Sequence, residues 1–526
     1  MQSALWIAAL APPVALVQEG PRTVPEASGF ERTSTLADVR SFLDRLRELP
    51  AAGRIDVRTF GASEEGRDLV LVTASEPPLA GDAALSASEK LRVLVNANIH
   101  GGEVEGKEAV QALLREIAQG GHEDLLRHAV VFFVPIYNVD GNERIDPRNR
   151  RSQNGPDAGV GARANAQGLD LNRDFVKAES AECRALLALF RRLDPHVFVD
   201  LHTTDGSHHG YHLTYAPSLS TSVDPELDRL ARGTLLAEVR RACAEEHGVR
   251  AFDYGNFARG EPPDRRGWET YDHRPRFGTN YYGLRGRIGI LSEAYSNLDF
   301  RGRVDATRAF TLEVLRAAVQ HREAILEQCR AADERAARGE FALAYDTALA
   351  AGHAGEVLVG DVVERELEGG GRRFEATDAF RAERMLVRVA FESHSRRAAP
   401  GAWAVRAPSA ALREALAHHG VEARELGAEA RVEAWSFAVS AVERAERPFQ
   451  GHREVALAGE WARGTHALEA GTLVVPAGQR LGRLAAHLLE PESEDSLATW
   501  GFFEVGAGEG FPVLRLDGLE GLELGQ

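Results

Sequence analysis

The stretch "NANIHGGEVEGKEAV", residues 96–110, runs from a β-like segment directly into a helical one, with His100, two glycines and Glu103 at the join. The apolar run ahead of it, "LRVLVNANI", has the continuous Val/Leu character of a strand buried on both faces. The segment that follows carries apolar residues at helical spacing over 106–118. His-x-x-Glu alone is uninformative, since it occurs five times: His100/Glu103, His353/Glu356, His419/Glu422, His466/Glu469 and His487/Glu490. Context separates them. In open α/β sheets ligands bind beyond the carboxyl ends of strands, and only His100 follows such a strand. Gly101 and Gly102 let the backbone turn tightly, so that both side chains face one point.

Working outward, β-runs alternate with helices from about residue 54 to 300. Strands are expected at "DLVLVTAS", "AVVFFVPIYN", "HVFVDLHTT", "YHLTYA" and "IGILSEAY", and helices at 178–193 and 225–246. Thr35 caps an amphipathic helix within 30–50. Residues 303–338 read as one long helix that closes the domain. The fold class is therefore α/β, a mixed, largely parallel sheet between helices. From about residue 340 glycines and β-runs such as "GEVLVGDVV" and "ARVEAWSFAV" dominate, with one helix near 409–418. This reads as a separate β-rich C-terminal domain, with a sandwich as its expected form. The predicted division is 1–20, 21–338 and 339–526.

Bulk properties narrow the function. A net charge of −17 over 526 residues opposes a general phosphate-backbone binder, which needs a basic face. Three cysteines, Cys183, Cys243 and Cys329, make neither a disulfide framework nor a zinc finger. The opening "MQSALWIAALAPPVALVQEG" has an apolar run of signal-peptide length, interrupted by Pro12–Pro13 and lacking a positive start. It predicts export, to the periplasm or beyond, with a mature start near Gln18. No other run is long enough for a membrane helix.

Two further strand ends add chemistry. "PHVFVDLHTTDG" places His202 at one, with Asp200 able to orient it, and with His208, His209 and His212 as rivals in a polar loop. Two histidines and one carboxylate leave zinc an open fourth position for water, the catalytic pattern. "RIGILSEAYSN" places Glu293 at the other. A carboxylate in an apolar strand is costly without a partner or a task; beside an activated water it can act as general base. Between them "ARANAQGLDLNRDF" offers Arg163, Asn172 and Arg173, donors suited to a carboxylate or an oxyanion.

"HGGE", "ARANAQGLDLNRDF", "DLHTTD" and "ILSEAY", in that order, resemble the zinc carboxypeptidase family, the carboxypeptidase A-like metallopeptidases, over about residues 55–325. The resemblance implies one Zn2+ per chain held by His100, Glu103 and His202, with Glu293 as catalytic base. It implies that Arg163, ten residues ahead of Arg173, stabilises the oxyanion, with Arg148, Arg150 and Arg151 as alternatives. It implies that Asn172 and Arg173 grip the substrate's terminal carboxylate, and that a mobile tyrosine contacts substrate. Tyr271, 22 residues ahead of Glu293, fits that spacing, and Tyr281 and Tyr282 are rivals. Gly278 is the gapless match to the base of the side-chain pocket. Asp174 stands where the family often has asparagine, which predicts an extra acid near the anion site. The expected partner is a peptide or protein with a free C-terminal carboxylate, and no nucleic acid. Alternatives are a zinc amidase acting on cell-wall peptides or acyl-amino acids, and a silent carboxylate-binding protein.

Overall fold

The computed structural model describes residues 20–79, 81–204, 206–258, 267–367 and 370–525. The expected signal segment falls almost entirely outside these residues. Strands β1 (Ile55–Ala62), β2 (Asp68–Ala74), β3 (Leu91–Ala97), β4 (Ala129–Val134), β5 (Val197–Thr204), β6 (Leu213–Pro217), β7 (Ala251–Asp253), β8 (Asn256–Phe257), β9 (Gly267–Glu269) and β10 (Ile288–Tyr295) occupy the first part. Eight of them form one sheet in the order β1-β2-β4-β3-β5-β10-β6-β7. Its centre, β4-β3-β5-β10, is parallel, whereas β1–β2, β2–β4 and β10–β6 pair antiparallel and β6–β7 parallel.

The alternation of side chains explains why these runs are apolar throughout. Val93, Val95, Val197 and Val199 enter the cluster beneath helices Glu105–Ala118 and Phe300–Gln320. Leu94 and Phe198 enter the cluster on the other face, beneath helix Ala181–Leu193. A strand covered on both faces cannot carry a polar side at its middle. Polar chemistry is displaced to strand ends, and the carboxyl ends of β3, β5 and β10 lie side by side.

Two expectations are corrected. The stretch 303–338 is two helices, Phe300–Gln320 and Arg322–Ala337, parted at His321. His321 leaves helical geometry and pairs with Glu238 at 2.6 Å on the neighbouring helix, a tertiary contact no local residue announces. The β-rich region is also not a sandwich. Its strands are β11 (Ala342–Leu349), β12 (His353–Glu366), β13 (Arg372–Arg388), β14 (Phe391–Ala398), β15 (Ala402–Val405), β16 (Arg424–Glu425), β17 (Ala430–Arg444), β18 (Val455–Leu468), β19 (Leu473–Pro476) and β20 (Val513–Leu516). Six form a sheet, β16-β19-β15-β20-β17-β18. One face of it (Trp403, Val405, Val475, Val513) joins the cluster that contains Leu186, Phe190 and Tyr281 of the α/β part. The other face (Ala402, Ala404, Val474, Leu514) packs on Leu519, Leu522 and Leu524. The partner layer is thus the α/β domain rather than a second sheet. β12 and β13 form a long hairpin that extends β9 and β8 into a four-stranded sheet.

The two parts are also joined by buried charge. Arg276, 3% exposed, donates from its backbone and from Nε to the buried Asp495 at 2.6 and 3.0 Å. Trp500 Nε1 donates to the same carboxylate at 2.8 Å. Asp495→Ala leaves a buried guanidinium with Glu454 as its remaining acidic partner among the described residues, and removing one member of a buried pair costs about 3–5 kcal/mol. A urea titration should show a loss of that size; a change under about 1 kcal/mol, the scale of surface pairs, would show the contact to be solvated.

Candidate metal centre

The turn after β3 is built by Asn98, which takes a left-handed backbone (φ 60°). Its Nδ2 donates to the carbonyls of His100, Gly101 and Glu103 at 3.1, 3.3 and 2.9 Å, clipping 98–103 into one loop. The glycines serve close approach rather than unusual dihedrals. A Cβ on Gly101 would lie 2.5 Å from the Ala162 carbonyl oxygen, and one on Gly102 2.7 Å from Arg150 Cδ.

His100, Glu103 and His202 come together here, each buried, with one ligand atom apiece inside a 4.8 Å span. Glu103 sits between the histidines: Oε1 is 2.9 Å from His100 Nδ1 and Oε2 is 3.0 Å from His202 Nδ1. Each imidazole is held from behind. His100 Nε2 donates to Asp170 Oδ1 and His202 Nε2 to Asp200 Oδ2, both at 2.9 Å. With Nε2 protonated, Nδ1 of each ring presents a lone pair, so two lone pairs face a carboxylate. Only a proton or a cation reconciles them. His100 Nδ1 lacks a hydrogen bond despite its proximity to Oε1, which fits a metal ligand better than a proton donor. Borderline N and O donors in this set suit Zn2+. Against the effect of burial, Asp200 and Glu103 hold His202 well above its usual range. Also against burial, His100 and Arg150 hold Glu103 well below its own.

Glu293 is the register partner of His202 across β5 and β10, so the two side chains share a face. Burial, opposed by His202 and reinforced by Glu103, raises its carboxyl above the ordinary glutamate range. Of the arginines, Arg163 is 46% exposed, bonds Asp170 Oδ2 at 2.9 Å and lies 3.3 Å from Glu103 Oε1. Arg150, 14% exposed, is pinned to Glu103 Oε1 at 3.1 Å and to the Thr203 carbonyl at 2.9 Å. Arg148 is 82% exposed on Asp146, and Arg151 lines a cleft together with Arg150 and Arg373.

Asn172 Oδ1 accepts the Gly278 N–H at 2.8 Å, and its Nδ2 is 3.5 Å from His202 Nε2. Arg173 lies over the Phe277 ring at 4.0 Å. Asp174 corrects the expected extra acid: it is buried and accepts the N–H and hydroxyl of Ser180, the residue that caps helix Ala181–Leu193. Tyr271 bonds Thr279 Oγ1 at 3.0 Å and packs on Tyr254 and Phe277. Tyr281 and Tyr282 are core residues whose hydroxyls meet His419 Nδ1 and the Pro195 carbonyl. The loop histidines point elsewhere: His208 faces Phe374, His209 packs on Tyr295 and His212 accepts from the Arg250 N–H.

Asp170 was not singled out from the sequence, although its place two residues before Asn172 marks it as part of the same turn. In the sequence Arg150 stands only as a rival to Arg163; its grip on Glu103 goes with a left-handed backbone (φ 48°) that sequence does not signal.

Residues 39–258 match the family model described as zinc carboxypeptidase. Carboxypeptidase 2 of Trichophyton tonsurans is 28% identical over 191 residues, 35% of this chain and 31% of that protein. Mouse carboxypeptidase Z is 37% identical over 123 residues, 22% of this chain and 17% of that protein. The chain thus covers less than a third of either relative. A metallo-carboxypeptidase from Burkholderia cenocepacia superposes with a TM-score of 0.41 at 18% identity, over 56% of this chain and 70% of that one. Over residues 39–258 the chain is thus similar to the zinc carboxypeptidase family.

Proposed function

We propose that the protein is a zinc metallocarboxypeptidase that hydrolyses the C-terminal peptide bond of peptides or proteins. The observation that carries this reading is the convergence of two Nδ1 lone pairs on Glu103, with Glu293 in register beside His202. His100, Glu103 and His202 would hold the ion, which when bound polarises both a water and the scissile carbonyl. Glu293 takes a proton from the attacking water and returns it to the departing nitrogen, so a C–O bond forms as the C–N bond breaks. Arg163, with its open face, donates to the carbonyl oxygen as negative charge grows there. Arg173 and Asn172 Nδ2 bind the terminal carboxylate. Tyr271 is assigned to the substrate side, supported by its place beside Phe277, while Tyr281 and Tyr282 are committed to the core.

Among the described residues no helix is long and apolar enough to cross a membrane. Export through the first twenty residues is part of the same proposal.

The test is a set of peptides with free and amidated C-termini. Release of single residues from the free series alone is the expected result. Cleavage of both series, or of neither while acyl-amino acids or cell-wall peptides are hydrolysed, would move the substrate to another amide.

A further inference from the structure

The β-rich region reaches the site through the side chain of Gln450. Between β17 and β18 the chain makes a tight turn at Phe449–His452, whose ends exchange backbone hydrogen bonds of 2.7 and 3.0 Å. Its two central residues, Gln450 and Gly451, have φ of 49° and 83°, the left-handed pair of a type I′ turn. Glycine accepts this without penalty. Glutamine does not, at a cost on the order of 1 kcal/mol or more. The turn is anchored from both sides: Phe449 lies against Arg276 and Trp500, and His452 Nε2 meets Glu179 at 2.7 Å. From this seat Gln450 Oε1 accepts the backbone N–H of Asp170 at 2.8 Å.

Asp170 is the residue on which two parts of the site depend. Its Oδ1 receives His100 Nε2 and the Asn172 N–H, both at 2.9 Å, and its Oδ2 receives Arg163. The Asp170 carboxylate can hold both only if its own backbone is fixed. Within the domain the 170–173 turn fixes the side chain, while the buried N–H finds its acceptor 280 residues further along the chain.

We propose that Gln450 is a positioning residue for the metal centre, acting through Asp170 on His100 and Arg163, so that the β-rich region completes the site rather than merely adjoining it. This rests on the zinc carboxypeptidase reading. Outer partners of metal-bound histidines typically tune affinity or activity by 10–100-fold, and Gln450, one residue further out, should fall near the low end.

The experiment compares the full chain with Gln450→Met, which keeps the length and removes the acceptor, and Gln450→Glu, which keeps an acceptor for the N–H. Zinc affinity is measured by competition with a chromogenic chelator, alongside kcat, KM and the melting temperature of the zinc-free protein. Gln450→Met should weaken zinc binding about tenfold and lower kcat with little change in KM, while Gln450→Glu stays close to the parent. A purely structural role would lower the melting temperature of the zinc-free protein and leave zinc affinity and kcat at the parent values, overturning the inference. So would equal losses in the Met and Glu variants. A parent chain that takes up no zinc would overturn the underlying reading and this inference with it, whereas a zinc-binding parent with an indifferent Gln450 would overturn the inference alone.

Discussion

Glu293→Gln keeps zinc affinity near the parent value and lowers kcat by about 10²–10⁴-fold, the range for loss of a general acid–base group. The substitution preserves shape and removes only proton transfer, so KM should change little. A pH profile sharpens the test. A base must be ionised to act, so kcat/KM falls as pH drops through the Glu293 pKa. Burial, opposed by His202 and reinforced by Glu103, raises that pKa in the metal-free protein, and a bound dication lowers it, so the position of the acid limb reports the balance of the two. The residual activity of the Gln variant should lack this limb. Near-normal turnover in Glu293→Gln would assign the proton to another group.

A chain ending at Ala337 should not give a stable, cooperatively melting protein. The truncation strips cover from Leu186, Phe190 and Tyr281, which share one cluster with Trp403, Leu412 and Leu484. It also removes Asp495 from the buried Arg276, His419 from the Tyr281 hydroxyl, and the carbonyl of His419 from Arg285. The Arg276 pair alone accounts for about 3–5 kcal/mol, against a total stability of about 5–15 kcal/mol for an ordinary domain. Thermal unfolding of the 21–337 fragment checks this. A melt at the full chain's temperature would show two independently folding units.

The sheet and the convergent strand ends were legible because both rest on local signals. Continuous Val/Ile/Leu runs mark strands buried on two faces, and the polar residues that interrupt them at 100, 202 and 293 fall where the topology gathers strand ends. The helix cap at Thr35 was equally legible. What sequence could not show is settled by contacts distant along the chain. His321 breaks a helix where it meets Glu238, and Asp174 turns from the anion site to Ser180, the residue that caps a helix. The β-rich sheet takes the α/β domain as its second layer because Trp403 and Val405 alternate with the smaller Ala402 and Ala404, and the pattern does not say which layer the bulky face meets. Gln450 carries no motif at all. Its role lies in a left-handed turn and a hydrogen bond to residue 170.

The most direct test of the central claim is metal analysis of the purified full chain and of a His202→Ala variant, before and after dialysis against a chelator, with peptide release followed in parallel. One zinc per parent chain is expected, with loss of release when the chelator removes it, return when zinc is restored, and no tightly held zinc in His202→Ala. A parent chain that holds no zinc, or that hydrolyses peptides equally well without it, would contradict the account.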